Sequence, residues 1–258
     1  MRSTTTAFWV IGFLAIGSLR AFGAQGSYQV TIAPGYELVA YCYNTNTLSN
    51  AILNPPDNTY VLFWDAQAQN WDAHMCYQGT WDSDYTITPG QGFFINNPLP
   101  SNHTFTIQGT KLDAPSYTMY FPVSTNKYLI GSAYDLDVGG GSNWLECQPD
   151  CSGSNRYTEA SYNFHSSVGD TVWFWVASVS NWTSDIVKTT NNAHCSPPIA
   201  EWIAPSSGGG YTCLFGAPQL SWFENGSLNS GGHSRAFFLR PAGGTTSWTQ
   251  QKDGHSCQ

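Results

Sequence analysis

The chain has 258 residues and a formal net charge of −8, from nine Lys and Arg against 17 Asp and Glu. Such a surplus of acid gives no electrostatic hold on a phosphate backbone, so nucleic acid is excluded as the expected partner, and an anionic membrane surface with it. Charged residues are 10% of the chain and aromatic residues 15%, against the roughly 25% charge usual in soluble domains. This composition favours strands joined by turns.

The N-terminus places Arg2 before an apolar run over residues 7–19 (AFWVIGFLAIGSL), then small residues at Ala21-Phe22-Gly23-Ala24. Charge, short apolar run and small-residue site together predict a secretory signal peptide over residues 1–24. The run is shorter than the about 20 residues a membrane span needs, and no later segment is as apolar. The expectation is a secreted or cell-surface, extracytoplasmic protein with no membrane span after signal cleavage. About 230 residues then remain, enough for one large all-β domain or two small ones.

Two ordered series of similar segments follow. Gly35-Tyr36-Glu37-Leu38-Val39-Ala40 is answered by Lys127-Tyr128-Leu129-Ile130-Gly131-Ser132-Ala133. The run at 57–64 (DNTYVLFW) is answered at 169–175 (GDTVWFW), and Asn70-Trp71 by Asn181-Trp182. Met75-Cys76-Tyr77 resembles Thr212-Cys213-Leu214, and 92–98 (GFFINNP) is answered at 235–241 (RAFFLRP). The series predicts two divergent copies of one antiparallel, strand-rich repeat, each a sandwich or small barrel. The expected organisation is repeat 1 over 25–111, a connector over 112–126, repeat 2 over 127–250 and a tail over 251–258. Repeat 2 would carry loop insertions near 139–166 and 188–210. The runs at 59–64 and 171–176 read as strands covered on both faces. Pro89-Gly90 reads as a turn, and a short helix is expected over 47–53.

Gly-Tyr-x-Leu-Val-Ala, then Pro-Pro-Asp-Asn-Thr entering an aromatic strand that ends Trp64-Asp65, then Pro89-Gly90-Gln91-Gly92-Phe93-Phe94-Ile95-Asn96-Asn97-Pro98, form a distinctive sequence. It resembles a group of uncharacterised secreted bacterial repeat proteins with the pattern GYNLIA…PPDGTTVYKWD…PGEGFFIQNP. The resemblance covers most of residues 28–245. It is strong in the first series and blurred in the second, where Ser230-Gly231-Gly232-His233-Ser234 replaces the Pro-Gly turn. It implies export and a β fold, and brings no catalytic residues.

Catalytic chemistry has little support in the sequence. Glu146, Glu201 and Glu224 lie near Trp144, Trp202 and Trp222, where burial would raise a carboxyl pKa as a general acid requires. None has an acidic counterpart in the other copy, and the ordinary reading is a loop acid beside a core aromatic. There is no Gly-x-Ser-x-Gly elbow. His74 with Cys76 and His194 with Cys195 could form thiol sites, which an oxidising compartment disfavours. No enzyme is expected.

Cys42, Cys76, Cys147, Cys151, Cys195 and Cys213 are disulfide candidates in such a compartment, with Cys257 the odd seventh. Calcium is the one candidate cofactor, with Asp135 and Asp137 as ligands in an Asp-x-Asp-x-Gly loop. Asp82 and Asp84 are similarly spaced. Neither loop has the full set of oxygens calcium wants. The six histidines have no zinc-like spacing.

Aromatics are the strongest lead. Trp71, Tyr77 and Trp81 in the first copy, and Trp182, Tyr211 and Trp222 in the second, sit near expected strand ends or loops. Placed there they could stack on sugar rings, although aromatics more commonly fill a β core. The leading expectation is a secreted non-catalytic surface or matrix-binding protein, carbohydrate-directed, whose partner is an extracellular polymer or cell-surface component. A structural, self-associating envelope or filament protein is the first alternative, and a divergent extracellular hydrolase the second.

Overall fold

The computed structural model describes residues 23–134, 160–161, 169–176, 181–189, 200–205, 211–213, 236–242, 245–252 and 255–256. In chain order the first half contains β1 (Gln25–Ile32), β2 (Gly35–Ala40), β3 (Asn46–Thr47), α1 (Leu48–Ala51), β4 (Ile52–Leu53), β5 (Thr59–Asp65), β6 (Asn70–Tyr77), β7 (Thr80–Trp81), β8 (Thr86–Ile87), β9 (Gly92–Asn97), β10 (His103–Thr110) and β11 (Ser116–Tyr120). The second contains β12 (Tyr128–Ile130), β13 (Ala160–Ser161), β14 (Thr171–Val176), β15 (Asn181–Thr189), β16 (Ala200–Pro205), β17 (Tyr211–Cys213), β18 (Phe237–Arg240), β19 (Ser247–Gln251) and β20 (His255–Ser256). The fold is all-β and antiparallel. Among the described residues its sheets are open, so the small-barrel alternative gives way to packed sheets.

Three layers organise the molecule. A three-stranded sheet (β1-β10-β4) packs on one face of a five-stranded sheet (β2-β9-β5-β6-β7). The other face of that sheet meets a six-stranded sheet (β12-β18-β14-β15-β16-β17). Strand periodicity of two explains how one strand serves both contacts. On β5, Val61 and Phe63 enter the first core, while Leu62 and Trp64 pack toward the second. The run at 61–64 is apolar throughout because its residues pack alternately into both cores.

The first core gathers Tyr28, Ile32, Phe105 and Ile107 from the outer sheet against Val39, Val61, Phe63, Phe93 and Ile95 from the middle one. Phe63 stacks on Tyr85 with centroids 4.1 Å apart and planes 11° from parallel. The second core joins the two halves of the chain: Leu38, Ala40 and Phe94 pack with Leu129, Ala236 and Phe238. The halves therefore share one buried layer. Gly92 is required there, since a Cβ would lie 2.6 Å from that of Ala236 and 2.8 Å from Leu129 Cγ. An isolated bridge between Gln91 and Ile130 and a 2.8 Å hydrogen bond from Gly131 N to Gly90 O tie the same corner.

Turns follow their sequence signals. Gln91 N donates to Thr88 O at 3.1 Å, and Gly90 has φ +77°, as a Pro-Gly type II turn demands. Gln78 and Gly79 both have positive φ (51° and 73°) between paired Tyr77 and Thr80, the two-residue type I′ hairpin. The helix expected over 47–53 is only the four residues of α1, because Ile52 and Leu53 pair instead with Ile107 and Thr106 of β10. Segment 112–126 contains β11, which pairs along its whole length with β19.

No disulfide is present among the described residues. Cys42 and Cys76 are both buried as thiols in the first core, where Cys76 faces Thr59 and Trp81 across its ladders. That ladder position gives Cys76 core neighbours in place of a second sulfur. Cys213 lies on β17, while Cys147, Cys151, Cys195 and Cys257 fall outside the described residues.

Tyr41 is fully buried, and its hydroxyl donates to Gln108 O at 3.3 Å. Burial, opposed in part by a hydrogen bond with Asn46, pushes its pKa up to about 12. The unfolded phenol ionises near 10. This contribution to stability is therefore complete below pH 10 and is lost as pH climbs to 12. The loss should amount to about 2 kcal/mol. Urea unfolding at pH 9, 10, 11 and 12 should show that decline, with Tyr41→Phe flattening it; an equal slope in the variant would remove Tyr41 as its source.

Candidate functional site

The most developed surface feature lies at the seam between the five- and six-stranded sheets. Alternation along β6 puts Trp71, Ala73, Met75 and Tyr77 on the face turned to that seam. Trp71 faces Trp64 across the β5–β6 ladder, with ring centroids 5.1 Å apart and planes at 70°. It also packs against Phe94 at 5.5 Å and Phe238 at 5.8 Å. Trp64 meets Phe238 edge-on at 5.1 Å, and Phe94 meets Trp175 at 5.0 Å. The rings thus come from both halves of the chain.

Polar contacts hold this cluster in place. Trp64 Nε1 donates to Lys127 O at 2.8 Å, which fixes the indole in its pocket. Gln69 brackets the same residue: its Nε2 donates to Lys127 O at 3.1 Å, and its Oε1 accepts from Lys127 N at 3.0 Å. Asp65 Oδ1 accepts from Gln67 N and Ala68 N, shaping the turn that carries Gln69. Trp71 is nonetheless 40% exposed. A ring packed against three others while still partly exposed has little rotamer entropy left to lose on binding.

Further out on the same face, Tyr36 and Tyr60 are exposed, and Tyr77 is 55% exposed. Asn96 lies between Tyr36 and Tyr60, accepting a hydrogen bond from Tyr60 N on its Oδ1. Tyr77 is six residues along β6 from Trp71, about 20 Å. These side chains carry no charge.

Trp81 does not join them. It is 8% exposed and belongs to the first core. The two-residue turn at 78–79 puts Trp81 opposite Cys76, and Cys76 faces inward. Trp182 lies on β15 opposite Trp175, and Tyr211 on β17 opposite Pro205. Trp222 falls outside the described residues, as do Asp135 and Asp137. Asp82 and Asp84 are engaged elsewhere. Asp82 Oδ2 accepts from Met75 N. Asp84 Oδ1 accepts from Ser49 Oγ at 2.8 Å, a bond that lowers its pKa. Among the described residues no three His, Cys, Asp or Glu side chains are grouped to hold a metal ion.

A second constellation was not evident from sequence spacing. Ser83 Oγ lies 2.7 Å from His74 Nδ1, and His74 Nε2 lies 3.4 Å from Asp72 Oδ2. The imidazole is 91% buried, tilted against Phe63 and Tyr85. The residue types are those of a nucleophile, base and orienting acid. The geometry falls short in two respects. His74 Nε2 is buried without a hydrogen bond, the Asp72 contact being off-axis. Asp82 Oδ1 also stands 3.5 Å from Nδ1, where its charge would oppose a developing oxyanion. His74 partners Ser83, and Cys76 stays in the core.

Comparison with protein-family models, with curated proteins and with solved structures finds no match to this chain.

Core and seam tryptophans should separate on substitution. Trp81→Ala is expected to cost about 3–5 kcal/mol. Trp71→Ala should cost about 1 kcal/mol, because its ring is already partly in water. Chemical denaturation of both variants checks this; equal losses would mean that Trp71 is structural.

Proposed function

We propose that this chain is an exported, non-catalytic binding protein that stacks the sugar rings of an extracellular polymer on the aromatic seam around Trp71. The observation that carries the reading is the exposed Trp71 ring, held edge-on against Trp64 and Phe238 and tilted against Phe94. Aromatic faces suit the apolar faces of pyranose rings, and Tyr36, Tyr60 and Tyr77 extend the platform. Export rests on the features of residues 1–24, of which 1–22 lie outside the described residues. The resemblance to secreted bacterial repeat proteins points the same way.

The reading includes descent from two copies of one unit. Its support is the matching order of β2-β9-β5-β6-β7 and β12-β18-β14-β15-β16. Registers match as well. Trp64 faces Trp71 where Trp175 faces Trp182, and Asp65 faces Asn70 where Val176 faces Asn181. Leu38 faces Phe94 where Leu129 faces Phe238. One landmark departs from the scheme: Cys76 is on β6 and Cys213 on β17, strands at different places in their sheets. Trp182 is then the counterpart of Trp71.

A glycan and polysaccharide array probed with the mature protein tests this reading. Binding that falls about tenfold or more in Trp71→Ala, with folding unchanged, is the expected result. No binding to any glycan sinks it and turns attention to self-assembly.

The hydrolase alternative has one observation in its favour, the Ser83–His74–Asp72 arrangement. On the preferred reading, a fluorophosphonate probe leaves Ser83 unmodified. Stoichiometric labelling, abolished in Ser83→Ala, would establish a nucleophilic serine and replace the non-catalytic account.

A further inference from the structure

The two sheets present matching cross-strand rows to the seam, and one pair of rows differs in charge. On the five-stranded sheet Leu38, Phe94 and Leu62 stand in register. Two residues outward the row becomes Tyr36, Asn96 and Tyr60, which is neutral. On the six-stranded sheet the matching row is Leu129, Phe238 and Trp173. Two residues outward it becomes Lys127, Arg240 and Thr171, which carries two positive charges.

Both cations gather on one indole. Lys127 Nζ lies 4.8 Å from the Trp173 ring centroid, and Arg240 Cζ lies 5.7 Å from it. Both residues are exposed, and among the described residues neither is paired with a carboxylate. Two like charges within 6 Å of one ring centroid favour an anion within reach of both. The position adjoins the Trp71 cluster: the Lys127 carbonyl holds Trp64, and Phe238 touches Trp71.

We propose that Lys127 and Arg240, backed by Trp173, form an oxyanion subsite, so that the polymer stacked at Trp71 is an acidic polysaccharide. The subsite rests on the binding role proposed above and adds the ligand's charge to it. Arginine's planar fork matches a carboxylate or sulfate with two parallel hydrogen bonds, and lysine adds a point charge beside it. An acidic protein gains no general attraction to polyanions, so affinity for one must come from a local site.

The test is isothermal titration of the full mature chain with three oligosaccharides: an oligogalacturonate carrying carboxylates, a sulfated galactan and an uncharged mannan. Lys127→Met with Arg240→Gln keeps the alkyl cover of Trp173 and removes both charges. The expected result is that one or both acidic ligands bind about tenfold or more tighter than the mannan. The double variant should abolish that preference while leaving mannan affinity and thermal midpoint unchanged. Which acidic ligand responds identifies carboxylate or sulfate as the natural group. Equal, Trp71-dependent binding of all three ligands would overturn the subsite and leave the sugar-binding reading standing. Acid preference that survives in the double variant would also overturn the subsite. No binding of any ligand would overturn both.

Discussion

Phe94 and Phe238 sit at matching places on facing sheets, and the contact layer around them is what makes the two halves one body. Leu38, Ala40, Leu129 and Ala236 complete its buried floor, with Trp64, Trp173 and Trp175 at its margin. Edge-on aromatic pairs add about 0.5–1.5 kcal/mol each beyond their buried area, and several meet here. The requirement for close approach reaches single atoms, because Gly92 leaves no room for a methyl group beneath Ala236. The seam that offers Trp71 to solvent is the rim of this layer. The exposure of Trp71 and the stability of the two-sheet contact are therefore set by neighbouring atoms of one cluster.

The layer also explains the composition. A sheet packed on both sides needs apolar side chains at successive positions, as in the run from Val61 to Trp64. The outer sheet has only one covered face. On β1, Tyr28 and Ile32 are buried, while Ser27, Gln29 and Thr31 face water. With so few charges, this water-facing side is made polar by such Ser, Thr and Gln rows. Thr31 and Thr104 bond across that exposed face at 2.8 Å.

Much of the fold was legible in the sequence because strands and turns are local. The apolar runs, the Pro89-Gly90 turn and the strand at 92–97 can all be read from neighbouring residues. Trp81 reads as a loop aromatic only when the turn before it is missed. Taking Gln78-Gly79 as a two-residue hairpin turn puts Trp81 opposite Cys76, on the inward face. The helix expected over 47–53 overruns because Ile52 answers to β10, a partner more than fifty residues away. The His74–Ser83 contact, nine residues apart, follows from that same hairpin register once the turn is taken. The gathering of Lys127 and Arg240 on Trp173 was not legible, because it depends on register across strands distant in the chain, which no local pattern encodes.

The ladder ends have a mechanical consequence for a chain anchored by one terminus and pulled by the other. Tension entering at Gln25 acts on a residue paired with Thr110, the last residue of β10. Tension from the C-terminus first meets the two-residue β13–β20 pair and beyond it enters β19 at Gln251, a residue paired with Ser116, the first of β11. In both ladders the load falls on partners at the same end, so the hydrogen bonds break in succession instead of sharing the force. The outer sheet, the β13–β20 pair and the β11–β19 clasp would peel at low tension. Such a molecule yields at its margins under shear and lengthens.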